Sequence, residues 1–175
     1  MGKMRRVIVT GPYRTGTTLV YNIVRCLIKA ETGEWPYICG NLEEYDSANP
    51  NEWHVIKTHK RGTWMATESI VICTGRDGVD TLASMKRFDS YHPNISVGDE
   101  EQFLRLHLDA IKWRRHADLI VNFGCSTTRK IGHISRVLGI GRHTEEAYRL
   151  VNEIKPPEEG HDPVTLLFAH HITSR

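Results

Sequence analysis

The sequence predicts an α/β protein in which helices flank a mostly parallel central sheet in three layers. Short apolar, β-branched runs alternate along the chain with longer segments of helical periodicity, which is the order that builds a parallel sheet. A glycine-rich loop joins the first of these runs to a helix. No repeat, low-complexity tract or linker divides the 175 residues, so we expect one domain over residues 1–175, with a tail from about residue 156.

The first half of the chain opens with the clearest strand and helix. Residues 5–10, RRVIVT, are mostly apolar and β-branched, and Gly11 ends the run, so they are predicted to be a buried strand. Leucine, valine and isoleucine recur at helical spacing from residue 17 to about residue 30, which predicts the first helix. Residues 32–53 show no clear period and are predicted to be irregular or partly helical.

The remaining elements follow from the same two periodicities. Further strands are expected at residues 54–57, 69–74 and 119–123, the second of which is a continuous apolar run suited to the interior of a sheet. Asp77 is the expected N-cap of the helix after the third strand. Helices are expected at residues 78–88, 99–117, 131–139 and 144–154.

Composition excludes several classes of protein. The 23 lysines and arginines nearly balance 21 acidic residues, so charge predicts neither a nucleic-acid partner nor a membrane surface. No apolar run approaches the roughly 20 residues that span a bilayer. The four cysteines and ten histidines show no metal-ligand spacing, so no metal is expected. Scattered cysteines in apolar surroundings indicate reduced thiols and a cytoplasmic location.

The loop after the first strand has the outline of a phosphate-binding P-loop with one substitution. In GPYRTGTT, residues 11–18, Thr17 stands where the lysine of G-x-x-x-x-G-K-[ST] is expected. The nearest cation, Arg14, lies inside the loop instead. Backbone N–H groups of residues 14–18, at the start of a helix, are suited to binding an anion. A second cation, Arg76, follows the third strand, where an ATPase or kinase would be expected to carry a magnesium-binding acid.

The residues of this loop are open to three interpretations. It could be a plain strand–helix connection, although the flanking strand and helix patterns argue against that. It could belong to a nucleotide or small-molecule kinase that has lost its lysine, which predicts turnover of ATP–Mg²⁺. It could also belong to a catalytically inactive module that binds a nucleotide without transferring any group.

Three segments together resemble the sulfotransferases that use 3′-phosphoadenosine 5′-phosphosulfate (PAPS). GPYRTGTTLV, residues 11–20, is similar to the family's 5′-phosphosulfate loop. VIKTHK, residues 55–60, resembles the family's Lys-Thr-His at the end of a strand. SIVICTGRDGVDTLASMKRF, residues 69–88, resembles its 3′-phosphate segment, in which a serine follows an arginine after eight residues, as Ser84 follows Arg76 here.

The resemblance implies a P-loop fold, a PAPS donor and roles for individual residues. Arg14 would bind the 5′-phosphosulfate, aided by backbone and hydroxyl donors, and would have a catalytic role in stabilising charge on the leaving phosphate. Arg76 and Ser84 would hold the 3′-phosphate. Lys57 would contact the transferring group, and His59 would be the general base. The donors aiding Arg14 would be Thr15, Gly16, Thr17 and Thr18. The implied partner is a small-molecule or carbohydrate acceptor, and a homo-oligomer is possible.

The sequence does not decide which residue is the general base or which residues line the acceptor pocket. Some branches of the family use a carboxylate base, and three acidic residues before the second strand could serve: Glu43, Glu44 and Asp46. Aromatic side chains could line the acceptor pocket, although core packing explains them equally well. These are Trp35, Tyr37, Tyr45, Trp53 and Tyr91.

Overall fold

The computed structural model describes residues 4–40, 44–59, 68–91, 108, 112 and 114–169, except the side chains of residues 88–91. The described strands are β1 (Arg5–Thr10), β2 (Tyr37–Cys39), β3 (Trp53–Thr58), β4 (Ser69–Gly75) and β5 (Leu119–Asn122). The helices with described bounds are α1 (Thr17–Thr32), α2 (Gly78–Tyr91), α3 (Thr127–Leu138) and α4 (Thr144–Glu153).

The five strands form one sheet in the order β2-β3-β1-β4-β5. Every neighbouring pair is parallel, which confirms the predicted fold class. Thr10 at the end of β1 pairs with Thr58 on β3 and with Cys73 on β4. The carboxyl ends of the three central strands therefore meet at one edge of the sheet, where α/β proteins bind their ligands.

Helices α1, α3 and α4 cover one face of the sheet. Their apolar side chains form a single cluster with Val7 and Val9 of β1, and Tyr21, Ile23 and Ile134 lie fully buried within it. A smaller cluster lies on the opposite face, built from Ile8, Cys39, Ile56, Val71 and Cys73. Strands buried on both faces explain why β1, β3 and β4 read as continuous apolar runs in the sequence.

Most predicted elements are confirmed, with differences at their ends. The predicted cap of α2 is present, because Oδ1 of Asp77 accepts hydrogen bonds from the N–H groups of Val79 and Asp80 at 2.9 and 3.3 Å. The helix predicted at residues 131–139 begins earlier, at Thr127. The hydroxyl of Ser126 caps it by accepting from the N–H of Arg129 at 3.3 Å. The helix predicted at residues 99–117 lies largely outside the described residues.

Strand β2 was not predicted from the sequence. The segment predicted to be irregular contains β2, which pairs with β3 in the register Tyr37↔His54 and Cys39↔Ile56. Its three residues are too few to show an alternating pattern, so its strand conformation follows from pairing with β3.

The predicted tail folds back onto the first helix. Residues 160–169 form a tight turn closed by a bridge between His161 and Phe168. The side-chain amide of Asn22 donates to the carbonyl of Thr165 at 2.8 Å. The hydroxyl of Tyr21 donates to the carbonyl of Val164 at 3.3 Å. The segment is therefore attached to the same helix that begins at the glycine-rich loop.

All four cysteines are free, as predicted. Burial raises the pKa of the Cys26 and Cys73 thiols to about 12, so both are un-ionised near neutral pH. Across the described ranges, no helix combines the length and apolar character needed to cross a membrane.

Candidate active site

The glycine-rich loop connects the carboxyl end of β1 to the amino end of α1. Gly16 precedes the helix with a φ of 89°, a left-handed conformation that favours glycine. No acidic residue stands in the first turn of α1, so the positive end of the helix dipole is not offset there. Thr18 lies in that turn and is partly exposed. These features suit the loop to an anion.

Arg14 projects from this loop towards α2. Its backbone has a φ of 62°, which is uncommon outside glycine. Its Nε donates a hydrogen bond to the hydroxyl of Ser84 at 3.3 Å, across 70 residues of sequence. Ser84 itself is 6% exposed. The two residues that the resemblance assigns to different ends of the donor nucleotide are therefore in direct contact.

Arg76 approaches the same loop from the end of β4. Its Nη1 donates to the backbone carbonyl of Arg14 at 3.4 Å, and its guanidinium lies 4.2 Å from the centre of the Phe123 ring. Its Nε is buried and has no hydrogen-bond partner among the described residues. A buried, unsatisfied donor on a cation is costly unless a ligand meets it.

Three threonine hydroxyls lie beneath the loop. Oγ1 of Thr15 donates to the carbonyl of Pro12 at 2.6 Å and lies 2.6 Å from Oγ1 of Thr74. Oγ1 of Thr17 lies 3.1 Å from the same Thr74 oxygen. Thr74, near the end of β4, was not predicted as a site residue. The parallel pairing of β1 and β4 places it here, and a single sequence does not show that pairing.

The two glycines of the loop each allow a side chain to approach closely. A Cβ at Gly11 would lie 2.2 Å from Oγ1 of Thr74, and one at Gly16 would lie 2.7 Å from Cδ2 of Phe123. Both glycines also have positive φ values, of 149° and 89°. The loop is therefore enclosed by a hydroxyl on one side and an aromatic ring on the other.

His59 follows β3 and contacts the loop. Its Nδ1 lies 2.7 Å from the carbonyl oxygen of Gly11, which can only accept, so Nδ1 carries the proton and Nε2 keeps its lone pair. The ring stacks on Tyr13 with centroids 4.0 Å apart. Burial and the charge of Lys57 lower the pKa of His59 to about 4, against a smaller opposing effect of the Gly11 hydrogen bond. The imidazole is therefore neutral at pH 7.

Lys57 is the second polar group at the end of β3. Burial, together with the nearby charge of Arg14, lowers the pKa of the Lys57 amine to about 8. The structure thus brings three cations, Arg14, Arg76 and Lys57, and a neutral imidazole to the edge of the sheet that carries the loop. Because positive charge contributes to both lowered pKa values, a bound anion would raise them.

Phe123 and Lys130 are further residues that the sequence did not indicate. Phe123 follows β5, contacts the position of Gly16 and faces Arg76. The Lys130 amine is buried and donates to the carbonyl of Phe123 at 2.8 Å and to that of Cys125. Burial lowers its pKa. In the sequence, Phe123 stands out only as an aromatic residue at the end of an apolar run. Its closeness to the loop depends on the pairing of β5 with β4, which the sequence does not show.

Glu44 and Asp46, two of the three carboxylates considered as alternative general bases, lie beside Tyr37 rather than beside the loop. Tyr37 lies in register with the second residue of β3, and its hydroxyl accepts from the N–H of Asp46 at 3.1 Å and donates to the carbonyl of Glu44 at 3.5 Å. Asp46 uses Oδ1 to accept from the N–H of Ala48 at 2.8 Å. Glu43 lies outside the described residues.

The proposed acceptor aromatics lie at the opposite edge of the sheet from the loop. Trp53 opens β3 opposite Arg5, and Tyr45 contacts His54. Five residues of strand, or roughly 16 Å, separate that edge from the loop. Trp35 and Tyr37 precede or open β2 at the same edge, and the side chain of Tyr91 is not described. The four described aromatic residues therefore lie away from the loop, and their assignment to an acceptor pocket stays a prediction.

The fold matches that of known crystal structures. No protein-family model matches the chain, and no curated protein matches it in sequence. Retinol dehydratase in complex with androsterone and the inactive cofactor PAP superposes with a TM-score of 0.55 at 15% identity, over 87% of this chain and 65% of that one. Its complex with retinol and PAP gives 0.52 at 14% identity, with the same coverage. The chain thus has their fold and spans about two thirds of their length.

Proposed function

We propose that the protein is a PAPS-dependent sulfotransferase that transfers a sulfuryl group to a hydroxyl or amine of a small-molecule or glycan acceptor. Retinol dehydratase, whose fold it has, is a PAPS-dependent sulfotransferase, and its structures hold PAP, the desulfonated donor. At this identity the likeness supports the fold only, so the proposal depends on the residues of the site.

The convergence of Arg14, Ser84 and Arg76 is the observation that carries the proposal. The three residues come from the loop, from α2 and from the end of β4, and they are joined by hydrogen bonds of 3.3 and 3.4 Å. The guanidinium of Arg14 contacts the Ser84 hydroxyl and that of Arg76 contacts the backbone of Arg14, and two cations and a hydroxyl around one loop suit a ligand with more than one phosphate group. AMP, which lacks a 3′-phosphate, would leave some of these donors unused.

The residues present fit PAPS better than they fit ATP–Mg²⁺. The unsatisfied Nε of Arg76 offers a further donor for an anionic oxygen. Thr17 occupies the position of the kinase lysine, and Asp77, the acid that follows β4, accepts two helix N–H groups at the start of α2. Among the described residues, no group of three or more histidines, cysteines and acids is arranged to hold a metal ion.

Binding and chemistry would be divided among the residues as follows. The loop N–H groups and Arg14 would hold the 5′ end of the donor, while Arg76 and Ser84 would hold the 3′-phosphate. PAPS supplies a sulfuryl group joined to a phosphate that can leave. Lys57 would stabilise the charge that develops on the transferring group and the leaving phosphate.

His59 is the proposed general base. Its Nδ1 proton is held by the carbonyl of Gly11, which orients the ring and leaves Nε2 to take the proton of the acceptor. A pKa of about 4 makes the free protein's imidazole a weak base. A bound anionic donor would raise that pKa towards the range in which general-base catalysis is efficient.

Titration calorimetry with PAP, AMP and ATP–Mg²⁺ tests the proposal. We expect PAP to bind more tightly than either alternative. Arg76→Ala should weaken PAP binding by roughly 10–100-fold, because it removes charge-assisted hydrogen bonds, and should affect AMP much less. Arg136→Ala, on an exposed arginine of α3, is the matched control. Equal or tighter binding of ATP–Mg²⁺ would overturn the proposal.

Transfer is tested separately from binding. Labelled PAPS should yield a labelled acceptor from a panel of alcohols, amines and glycans, and no added metal should be required. PAP binding without transfer to any acceptor would favour the inactive nucleotide-binding module instead. On the four free cysteines, we also propose a reducing compartment such as the cytoplasm.

A further inference from the structure

We infer that Thr74 is a positioning residue that holds the glycine-rich loop in its anion-binding conformation through a directed chain of hydroxyl hydrogen bonds. The inference deepens the proposed function, because the loop is the part of the site assigned to the 5′ end of the donor. Thr74 belongs to β4 and lies 59 and 57 residues from its two loop partners.

The direction of the chain follows from counting protons. Each threonine hydroxyl has one proton to donate. Thr15 donates its proton to the carbonyl of Pro12 at 2.6 Å, so the 2.6 Å contact between Thr15 and Thr74 requires Thr74 to be the donor. The carbonyl of Thr10 also lies near the Thr74 hydroxyl, but at 3.4 Å it is the weaker acceptor.

With its own proton used, Thr74 can only accept from Thr17, whose oxygen lies 3.1 Å away. The chain therefore runs from Thr17 to Thr74, then to Thr15, and ends on the carbonyl of Pro12. Thr15 and Thr17 are 1% and 4% exposed. Their hydroxyl protons point inwards, which corrects the expectation that these two hydroxyls donate to the ligand. Their backbone N–H groups remain for that purpose.

The close approach of Thr74 also explains the first glycine of the motif. A Cβ at Gly11 would lie 2.2 Å from the Thr74 hydroxyl oxygen and 2.9 Å from its carbonyl oxygen. Any other residue at position 11 would push β4 away and break the chain. The absence of a side chain at Gly11 therefore allows Thr74 to approach the loop.

The chain offers a matched control in Thr10. This threonine also lies at the end of a central strand and is fully buried, but its Oγ1 has no hydrogen-bond partner among the described residues. Thr10→Val and Thr74→Val both replace a buried hydroxyl with a methyl group of similar size. Only Thr74→Val removes hydrogen bonds to the loop.

The decisive experiment measures the loop directly. Amide hydrogen exchange of residues 11–18 in the ligand-free protein should be about tenfold faster in Thr74→Val than in wild type. In Thr10→Val it should be unchanged. Thr74→Ser, which keeps the hydroxyl, should stay within about twofold of wild type, and it also supplies the comparison if Thr74→Val fails to fold. Equal exchange in Thr74→Val and Thr10→Val, or loss of protection in Thr74→Ser, would overturn the inference.

PAP affinity by titration calorimetry gives the second readout. Thr74→Val should weaken PAP binding by about tenfold, while Thr10→Val and Thr74→Ser should leave it within about twofold. An unchanged PAP affinity in Thr74→Val would overturn the link between loop order and binding. Failure of PAP to bind the wild type would instead overturn the proposed function, and the exchange experiment would still decide the role of Thr74.

Discussion

The Nε of Arg14 lies 3.3 Å from the hydroxyl of Ser84, although 70 residues separate them in the chain. The contact links the glycine-rich loop to α2. An arginine with a positive φ in a glycine-rich loop is not a conformation that packing alone would favour. The pair therefore marks the part of the loop where the backbone leaves its usual conformation.

Replacing Ser84 tests the part of this pair that is assigned to the 3′-phosphate. Ser84→Ala should weaken PAP binding by about tenfold and AMP binding much less, because only PAP has the phosphate that the hydroxyl would meet, while both nucleotides have the 5′-phosphate assigned to Arg14, the hydrogen-bond partner of Ser84. Titration calorimetry with both nucleotides measures this. Ser135→Ala is the matched control, since Ser135 is similarly buried on a helix and its hydroxyl donates to the carbonyl of Gly132 at 3.1 Å. A similar loss for both nucleotides would contradict the assignment.

His59→Asn separates catalysis from binding. An asparagine amide can still donate to the carbonyl of Gly11, but it provides no base. We expect kcat for sulfuryl transfer to fall by roughly 10²–10⁴-fold while PAP affinity changes little. Steady-state kinetics and calorimetry on the same preparations measure the two effects. A comparable loss of affinity and rate would instead indicate a structural role for His59.

The lowered pKa of His59 also predicts how stability depends on pH. The folded value of about 4 lies below the ordinary histidine value near 6.5, so the unfolded chain binds more protons between these limits. The contribution of neutral His59 to the free energy of unfolding is complete above pH 6.5 and is lost as the pH falls towards 4. Urea denaturation across this window should show a smaller pH dependence for His59→Asn than for wild type.

Lys57 predicts proton uptake on ligand binding. Its amine, with a pKa of about 8 in the free protein, is largely unprotonated at about pH 8.5. A bound anion favours the charged form, so PAP binding at that pH should take up a substantial fraction of a proton. Calorimetry in buffers with different ionisation enthalpies measures the uptake. Lys57→Met should remove most of it, and an unchanged uptake would place the titrating group elsewhere.

Alanine substitutions at Gly16 and Gly33 separate the cost of a left-handed backbone from the loss of ligand binding. Gly16 and Gly33 have φ values of 89° and 77°, but a Cβ at Gly33 meets nothing within 4 Å. Gly33→Ala should therefore destabilise the fold by only about 1 kcal/mol, the cost of the left-handed backbone. Gly16→Ala should cost more and abolish PAP binding, because the new methyl group displaces Phe123. Thermal unfolding and calorimetry measure both, and retained PAP binding in Gly16→Ala would contradict the role given to Phe123.

The sequence alone was sufficient to predict β1, the glycine-rich loop and α1. The β-branched run of β1, the glycines of the loop and the periodicity of α1 each act over a few residues, so one sequence was enough to locate them. Arg14 and Arg76 stood out as cations in the loop and after the third strand, whereas Ser84 and the individual roles came from the resemblance. Their assigned contacts with the donor remain predictions.

Residues whose roles depend on strand register could not be predicted. Thr74 reaches the loop because β1 and β4 are parallel neighbours, and Phe123 reaches it because Gly75 pairs with Asn122. The position of Trp53 at the amino-terminal edge of the sheet, away from the loop, depends on register in the same way. Which end of a strand a residue occupies relative to the loop depends on pairing between distant segments.

The aromatic cluster at the amino-terminal edge of the sheet has a practical consequence. There, Tyr45 bonds to Nδ1 of fully buried His54 at 2.9 Å and receives a hydrogen bond from Arg6 at 3.1 Å. Because the loop, Lys57 and His59 occupy the other edge, stabilising mutations can be sought around Tyr45 without disturbing those residues. Heat resistance could then be engineered at one edge of the sheet while the groups at the other edge stay as they are.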